Sequence, residues 1–320
     1  MDNAVIPQAQ LLDHDSNRLR QVFEKMIKHQ AFGVGFRLEK YVLKKLQYLT
    51  MKIWFKHGGA ILPKSVANSA YRLATKPPRH YPNKIDNTTL LHHAIVINEN
   101  FDNHKVHGYM WGTGDKLVLL LHGWNSHALS MRNFIPPLLK KGYKVLAFDA
   151  PGHGHSDSIY SGTAYKNMVG SVIEQYQPQI IIAHSVGGLN ALLELATKPI
   201  TSVKKVITIG TPYDATYAIK HYMTLLSLHR FARKHFWRKL LRKWRINLSK
   251  FDLRNIYATD NLNIDGLIIH DINDEIIPYQ HAVEIQNIWP RARIVTTHGL
   301  GHSKILKNKS VVEQIIKFIE

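Results

Sequence analysis

The sequence contains no cysteine. That excludes disulfides, thiolate catalysis and cysteine-ligated zinc, and with them a small secreted scaffold held by cross-links. It also lacks any run of about 18 uncharged apolar residues, the length a membrane-crossing helix requires, so no spanning segment is expected. The opening residues, MDNAVIPQAQLLDHDSNR, have neither the basic start nor the apolar core of a signal peptide. A cytoplasmic protein is the expectation, with peripheral membrane contact left open. Acidic residues are scarce, 23 Asp and Glu against 42 Lys and Arg in 320 residues, for a formal charge of +19. Such an excess attracts nucleic acid, anionic lipid or acidic substrates without selecting among them.

The positive charge is concentrated in two stretches. Residues 18–56 interleave basic and apolar positions, and residues 230–245 carry eight Lys or Arg and no Asp or Glu. Residues 16–75 read as helical, with Phe36, Tyr41, Val42 and Leu46 recurring at three- and four-residue spacing. The proline-rich TKPPRHYPNK, residues 75–84, then suits a boundary. It divides the chain into an N-terminal helical extension, 1–88, and a main domain, 89–320. Within the main domain, HHAIVINEN and KVHGYMWG form a hairpin pattern turned by NFDNH.

Six short apolar runs follow, KLVLLLHGW, YKVLAFDAPGHG, PQIIIAHS, VKKVITIGTP, IDGLIIHDIND and ARIVTTHG, most of them separated by helical patterns. Runs that are apolar on both faces and alternate with helices describe a mostly parallel α/β sheet covered on both sides. The run ending at Pro212 and the run starting at Ile264 are about fifty residues apart, where a crossover needs only about a dozen. Residues 213–263 are therefore expected to form a helical insertion, placed to act as a lid over the carboxyl ends of the strands.

Polar residues at those strand ends should meet in space. Ser185 directly follows the run IIIAH and precedes the helical VGGLNALLEL, the context of a nucleophile held on a sharp strand-to-helix turn. Ser156 in GHSDS also has small flanking residues, but it follows a Pro-Gly loop rather than a strand. A serine nucleophile needs a histidine to take its proton and a carboxylate to orient the imidazole. His302 in THGLGHSKIL, after the last strand, is the candidate base, with His298 its rival. IIHDINDEIIP offers Asp274 as the acid and Asp271 as the alternative. His122 and Gly123 in LLLHGW allow the backbone N–H of Trp124 to turn inward, with that of Val186 as the second donor for an oxyanion.

With these pieces in order, residues 90–320 resemble the α/β-hydrolase superfamily, serine hydrolases of esterase and lipase type. The resemblance rests on Ser185, Asp274 and His302 in that chain order, on the His122–Gly123 loop, on DAPGHGHS and on DINDEIIP. Two positions depart from the family pattern, Ala183 where the serine motif has glycine and Asp271 where the acidic loop has glycine. The resemblance implies an eight-stranded, mostly parallel sheet and hydrolysis of a carboxylic ester through an acyl-enzyme, with no cofactor and no metal. Trp124, Met168 and Met223 either line an acyl pocket or pack in the core. DAPGHGHS reads as a structural turn, because two histidines one residue apart lack a third metal ligand.

The basic segment 229–248 has Phe236 or Trp237, Leu240, Leu241, Trp244 and Leu248 on one helical face and cations on much of the rest. It packs on the core as a lid, or it lies in an anionic membrane interface. Nucleic-acid binding ranks below both, because no docking motif accompanies the charge. The substrate expected is a small-molecule ester with an apolar acyl group, a lipid ester among the candidates. The rival reading is a non-catalytic protein that uses the scaffold to bind an anionic membrane or a partner through its basic helices.

Overall fold

The computed structural model describes residues 46, 49–77, 90–157, 159–197, 200–245, 247–257 and 262–320. The chain divides into two compact units, Met1–Trp54 and Phe55–Glu320. In the first, residues 49–53 are helical and Leu46 is an exposed helical residue; the helical reading of 16–45, with Phe36, Tyr41 and Val42, lies outside the described residues. In the second, α1 (Pro63–Thr75) belongs to the same unit as the sheet. The chain position 88/89, read from sequence as a boundary, lies outside the described residues.

Eight strands form one sheet: β1 (Ile95–Phe101), β2 (His104–Trp111), β3 (Leu117–Leu121), β4 (Lys144–Phe148), β5 (Ile180–His184), β6 (Lys205–Ile209), β7 (Asp265–Asp271) and β8 (Ala292–Thr297). Their order is β1-β2-β4-β3-β5-β6-β7-β8. The first two pairings are antiparallel and the rest parallel, so the sheet is mostly parallel and begins with a hairpin, as the sequence implied. The β1–β2 hairpin turns at Asp102 and Asn103, at φ 48° and 64°. Two left-handed residues give the turn twist that matches a hairpin, and Asp and Asn tolerate it better than most.

The crossovers contain α2 (Ile135–Lys140), α3 (Gly162–Tyr176), α4 (Val186–Thr197) and α7 (Gln280–Asn287), with α8 (Lys309–Ile319) at the end; α5 (Ala215–Leu225) and α6 (Arg230–Trp244) lie between β6 and β7. Strand β3 shows why the central runs are continuously apolar. Leu117, Leu119 and Leu121 enter the core on one face with Met168, Val172 and Leu192, while Val118 and Leu120 enter the other with Phe134, Leu138 and Ile315. Successive strand residues face opposite sides, and both sides are covered.

Strand β3 pairs with β4 on one edge and β5 on the other, so the crossovers reverse direction there. A crevice opens at the carboxyl ends of the strands at such a switch point, which is where ligands bind in open α/β sheets. The insertion covers that side. Helix α6 turns Ala232, Phe236 and Leu240 inward to full burial, and its carboxyl end is tied down where Thr163 Oγ1 donates to Trp244 O at 3.0 Å. Its apolar stripe therefore packs on the body of the protein.

Candidate active site

Ser185 follows β5 at φ 54°, in the left-handed region that costs a non-glycine residue strain. Its N–H donates to Ile209 O at 2.9 Å and its carbonyl accepts from Gly188 N at 3.0 Å, which hold the turn. Space around it is short. A Cβ on Gly187 would lie 2.6 Å from His122 O, and one on Gly188 would lie 2.1 Å from Thr211 Oγ1. Ala183 packs its methyl into the core of the sheet, so alanine fits where the motif has glycine.

The hydroxyl of Ser185 donates to His302 Nε2 at 3.0 Å, and His302 Nδ1–H donates to Asp274 Oδ2 at 2.7 Å. An ionised carboxylate only accepts, which fixes the proton on Nδ1 and leaves Nε2 free to take one. The second oxygen of Asp274 accepts from the backbone N–H groups of Ile276 and Ile277, each at 2.9 Å. Burial alone would raise the Asp274 carboxyl. The bond and charge of His302, with the amides of Ile277 and Ile276, outweigh it and hold the group below its ordinary range.

Asp271, three residues away, is fully buried and does different work. It accepts from Thr297 Oγ1 at 2.8 Å, Leu300 N at 2.9 Å and Asn273 N at 3.0 Å, so it ties down the loop that carries His302. His298 is exposed on that loop, and it is His302 that meets Ser185. His270 and His184 surround the relay without signalling themselves in the sequence. His270 Nε2–H donates to Ile277 O at 2.7 Å, and the same nitrogen lies 3.7 Å from Asp274 Oδ2. His184 Nε2–H donates to His302 O at 2.9 Å, and its ring lies 4.7 Å from that of His302. Burial, reinforced by His302, pushes His184 down to about 3, and burial lowers His270. Both stay neutral, and the relay gains no competing cation from either.

The loop after β3 meets the serine turn from the other side of the crevice. A Cβ on Gly123 would stand 3.0 Å from Ser185 Cβ and 3.1 Å from His184 Nδ1, so a side chain there would press on the serine turn. His122 is buried beneath the loop: Nδ1–H donates to Gly123 O at 2.7 Å, Nε2 accepts from Ala150 N at 2.9 Å, and Tyr165 Oη donates to its carbonyl at 2.7 Å. His153 Nε2 accepts from Asn125 N at 3.0 Å. The histidines of the HG and PGHG motifs thus brace the loop that presents Trp124. The N–H groups of Trp124 and Val186 find no acceptor among the described residues.

The DAPGHGHS segment forms a turn around Asp149, which accepts from Ala128 N at 2.7 Å and His155 N at 2.9 Å. Ser156 Oγ donates to Asp149 O at 2.7 Å and accepts from His107 N at 2.8 Å, so its hydroxyl is engaged in the fold. Among the described residues, no group of three or more His, Asp or Glu side chains is placed to hold a metal ion.

A cavity of about 560 Å³ opens above Ser185 and His302, within the usual range for small-molecule sites. Its roof comes from the insertion: Ile219, Tyr222 and Leu225 of α5, Phe236, Leu240 and Trp244 of α6, and Phe251. Trp124 also lines it. Met223 is buried on α5 but does not line it, and its neighbours Ile219, Tyr222 and Leu225 do; Met168, on α3, packs in the core.

Sequence reasoning missed Ala74, on α1. It also lines the cavity, and its carbonyl accepts from Trp124 Nε1 at 3.0 Å, while Tyr222 Oη donates to Ala70 O at 2.9 Å. A helix that precedes the whole sheet therefore holds both the roof and the loop after β3.

Residues 116–252 match a family model described as alpha/beta hydrolase fold. A 2-hydroxy-6-oxononadienedioate/2-hydroxy-6-oxononatrienedioate hydrolase of Escherichia coli is 32% identical over 115 residues, 33% of this chain. The chain spans only 40% of that relative's length. The AB hydrolase superfamily protein YisY of Bacillus subtilis is 24% identical over 241 residues, 62% of this chain and 89% of the relative. Two esterase structures share the fold. That from Exiguobacterium antarcticum has a TM-score of 0.56 at 19% identity, covering 70% of this chain and 99% of its own. Pf2001 from Pyrococcus furiosus reaches 0.58 at 21% identity, covering 77% and 96%. With the sheet order and the crevice at β3 and β5, these matches show that the chain has the alpha/beta hydrolase fold.

Proposed function

We propose that the chain is a serine hydrolase that cleaves a carboxylic ester with an apolar acyl group. The observation that carries this reading is the unbroken relay from Ser185 through His302 to Asp274, opening into a cavity roofed by Ile219, Phe236, Leu240 and Trp244. In this reading Ser185 Oγ attacks the acyl carbon while His302 Nε2 takes its proton, and Asp274 stabilises the imidazolium. The N–H groups of Trp124 and Val186 receive the oxyanion, each worth about 3 to 4 kcal/mol to the transition state. His302 then protonates the departing alcohol. Water, deprotonated by the same nitrogen, releases the acyl group and restores Ser185. None of these steps requires a cofactor.

The test is covalent labelling by a fluorophosphonate, followed by a panel of p-nitrophenyl esters of increasing acyl length. Wild type should label and turn over esters, and Ser185→Ala should do neither, with turnover down by at least about 10⁴-fold. Unlabelled wild type, or labelling that survives Ser185→Ala, overturns the assignment. The 2-hydroxy-6-oxononadienedioate hydrolase that matches part of the chain supplies a second reading, hydrolysis of such a dienedioate. Turnover of that dienedioate, with none of any ester, selects it.

A further inference from the structure

Helices α1 and α6 lie side by side and run in the same direction. A Cβ on Gly59, just before α1, would meet His229 Cβ at 2.5 Å at the start of α6, and further along Lys239 Nζ donates to Asn68 Oδ1 and sits 5.0 Å from the Tyr71 ring. Their inner sides, with Ala74, Phe236, Leu240 and Trp244, face the cavity. Their outer sides enclose a separate groove lined by Lys64, Asn68, His235, Arg238, Lys239 and Arg242.

Neither helix contains an Asp or Glu. Among the described residues, none of the four groove cations is paired with a carboxylate. Burial lowers the Lys239 ammonium, and the neighbouring charges of Lys243, Arg72 and Arg242 lower it further. An external anion would relieve that repulsion.

The surface changes character at the end where Gly59 meets His229. Ile61 is 81% exposed, Leu62 50% and Phe231 47%. Nearby on α5, Leu225 is 57% exposed and also lines the cavity, so it stands at the mouth. Large apolar side chains projecting beside a bank of cations match an interfacial lipid contact, in which apolar groups enter the acyl boundary and cations meet headgroups. A nucleic-acid backbone would engage the cations and leave Ile61 and Leu62 in water. The face concerned is not the aromatic stripe of α6, since Phe236 and Leu240 are buried under the roof.

We propose that the α1–α6 face docks on an anionic lipid bilayer, with headgroup phosphates in the Lys64–Arg238–Lys239–Arg242 groove and Ile61, Leu62 and Phe231 in the acyl boundary. Docking brings the cavity mouth at Leu225 to the lipid surface. The contact is independent of the relay, so Ser185→Ala binds as wild type does, and failure of the hydrolytic reading leaves it standing.

The test is co-sedimentation of the full chain with vesicles of phosphatidylcholine alone and of phosphatidylcholine with phosphatidylglycerol. The chain should bind the mixed vesicles, bind the neutral ones weakly, and be released by high salt. Replacing Lys64, Arg238 and Arg242 together by Gln should lower mixed-vesicle affinity about a hundredfold, at about fivefold per cation. Ile61→Ser with Phe231→Ser should lower it while leaving the salt dependence unchanged. Both variants should keep wild-type turnover of a water-soluble ester. If either variant lowers the thermal midpoint, the salt release and lipid preference of wild type decide. Equal binding to neutral and mixed vesicles overturns the proposal. So does a folded triple variant with unchanged vesicle affinity, or a wild-type chain that binds a nucleic-acid duplex and no vesicle.

Discussion

On the floor of the cavity, Asp271 and Asp274 between them accept five hydrogen bonds from surrounding amides and hydroxyl plus one from His302. His122, His184 and His270 are buried neutral, each donating to a carbonyl. The roof is built in the opposite way. It is held by apolar packing and a few side-chain bonds to helix carbonyls, such as Tyr222 to Ala70 O and Thr163 to Trp244 O, while its outer face carries cations with no carboxylate on either helix. Geometry within tenths of an ångström matters for proton transfer but not for enclosing an apolar group. The floor therefore fixes atoms, and the roof fixes volume and surface. Substitutions in the floor should change rate, and substitutions in the roof should change specificity, stability or binding.

The sharpest contrast lies inside the floor, between the two aspartates. Asp274→Asn should lower kcat by about 10⁴-fold, because the amide no longer holds the His302 proton on Nδ1. Asp271→Asn leaves the relay intact and disturbs the loop bonds to Thr297 and Leu300, so its main cost should be about 1 to 3 kcal/mol of stability. Ester kinetics beside denaturant melts of both variants measure this. Equal losses of kcat would erase the distinction between orienting the base and holding its loop.

Phe236→Ala tests the roof. The ring is fully buried and lines the cavity, so truncation should cost about 3 to 5 kcal/mol. It should also shift kcat/KM toward bulkier acyl groups with little change for the shortest ester. A uniform loss across the ester panel would mean that the roof also sets the geometry of the floor.

Acid should weaken the floor first. An unfolded histidine titrates near 6.5, whereas burial and His302 push His184 down to about 3, and burial with His270 pushes His281, buried on α7 where its Nδ1 accepts from Tyr213 N, to about 4. Below pH 6.5 the unfolded chain binds protons that the folded state refuses, so stability falls as pH falls through that window. The depressed carboxyls of Asp271 and Asp274 add a further loss at lower pH, as they protonate. Thermal midpoints should decline from pH 6.5 downward, and His184→Gln should flatten part of the slope. A midpoint constant from pH 6.5 to 4 would remove the premise that these rings are held neutral.

The same division explains what the sequence revealed. The strands were legible because β3, β5 and β6 are buried on both faces and read as unbroken apolar runs. Ser185 stood out because its turn needs small neighbours, a demand that shows in the letters. The choice between Asp271 and Asp274 did not show. Asp271 ends β7 and Asp274 follows three residues later, both are buried, and only their bonding partners assign their work. Nor did the part played by α1 show, since packing between residues 63–75 and 230–244 leaves no local pattern in either segment. The orientation of α5 was hidden for a related reason. Ile219, Tyr222, Met223 and Leu225 are all large or apolar, and which of them meet the cavity depends on the floor that the helix covers.

Tyr222→Phe is the smallest of these changes and isolates the tie between α5 and α1. It removes only the hydroxyl that donates to Ala70 O at 2.9 Å and leaves the ring, which stands edge-on to Trp124 with centroids 5.3 Å apart. The expected loss is about 1 kcal/mol of stability. Because the ring still packs, kcat on a short ester should stay at its wild-type value, and any change should appear as a higher KM for long acyl groups that need the roof closed against α1. If kcat on the short ester fell instead, the tie would reach through Trp124 to the loop after β3, and α1 would belong to the catalytic floor rather than to the roof.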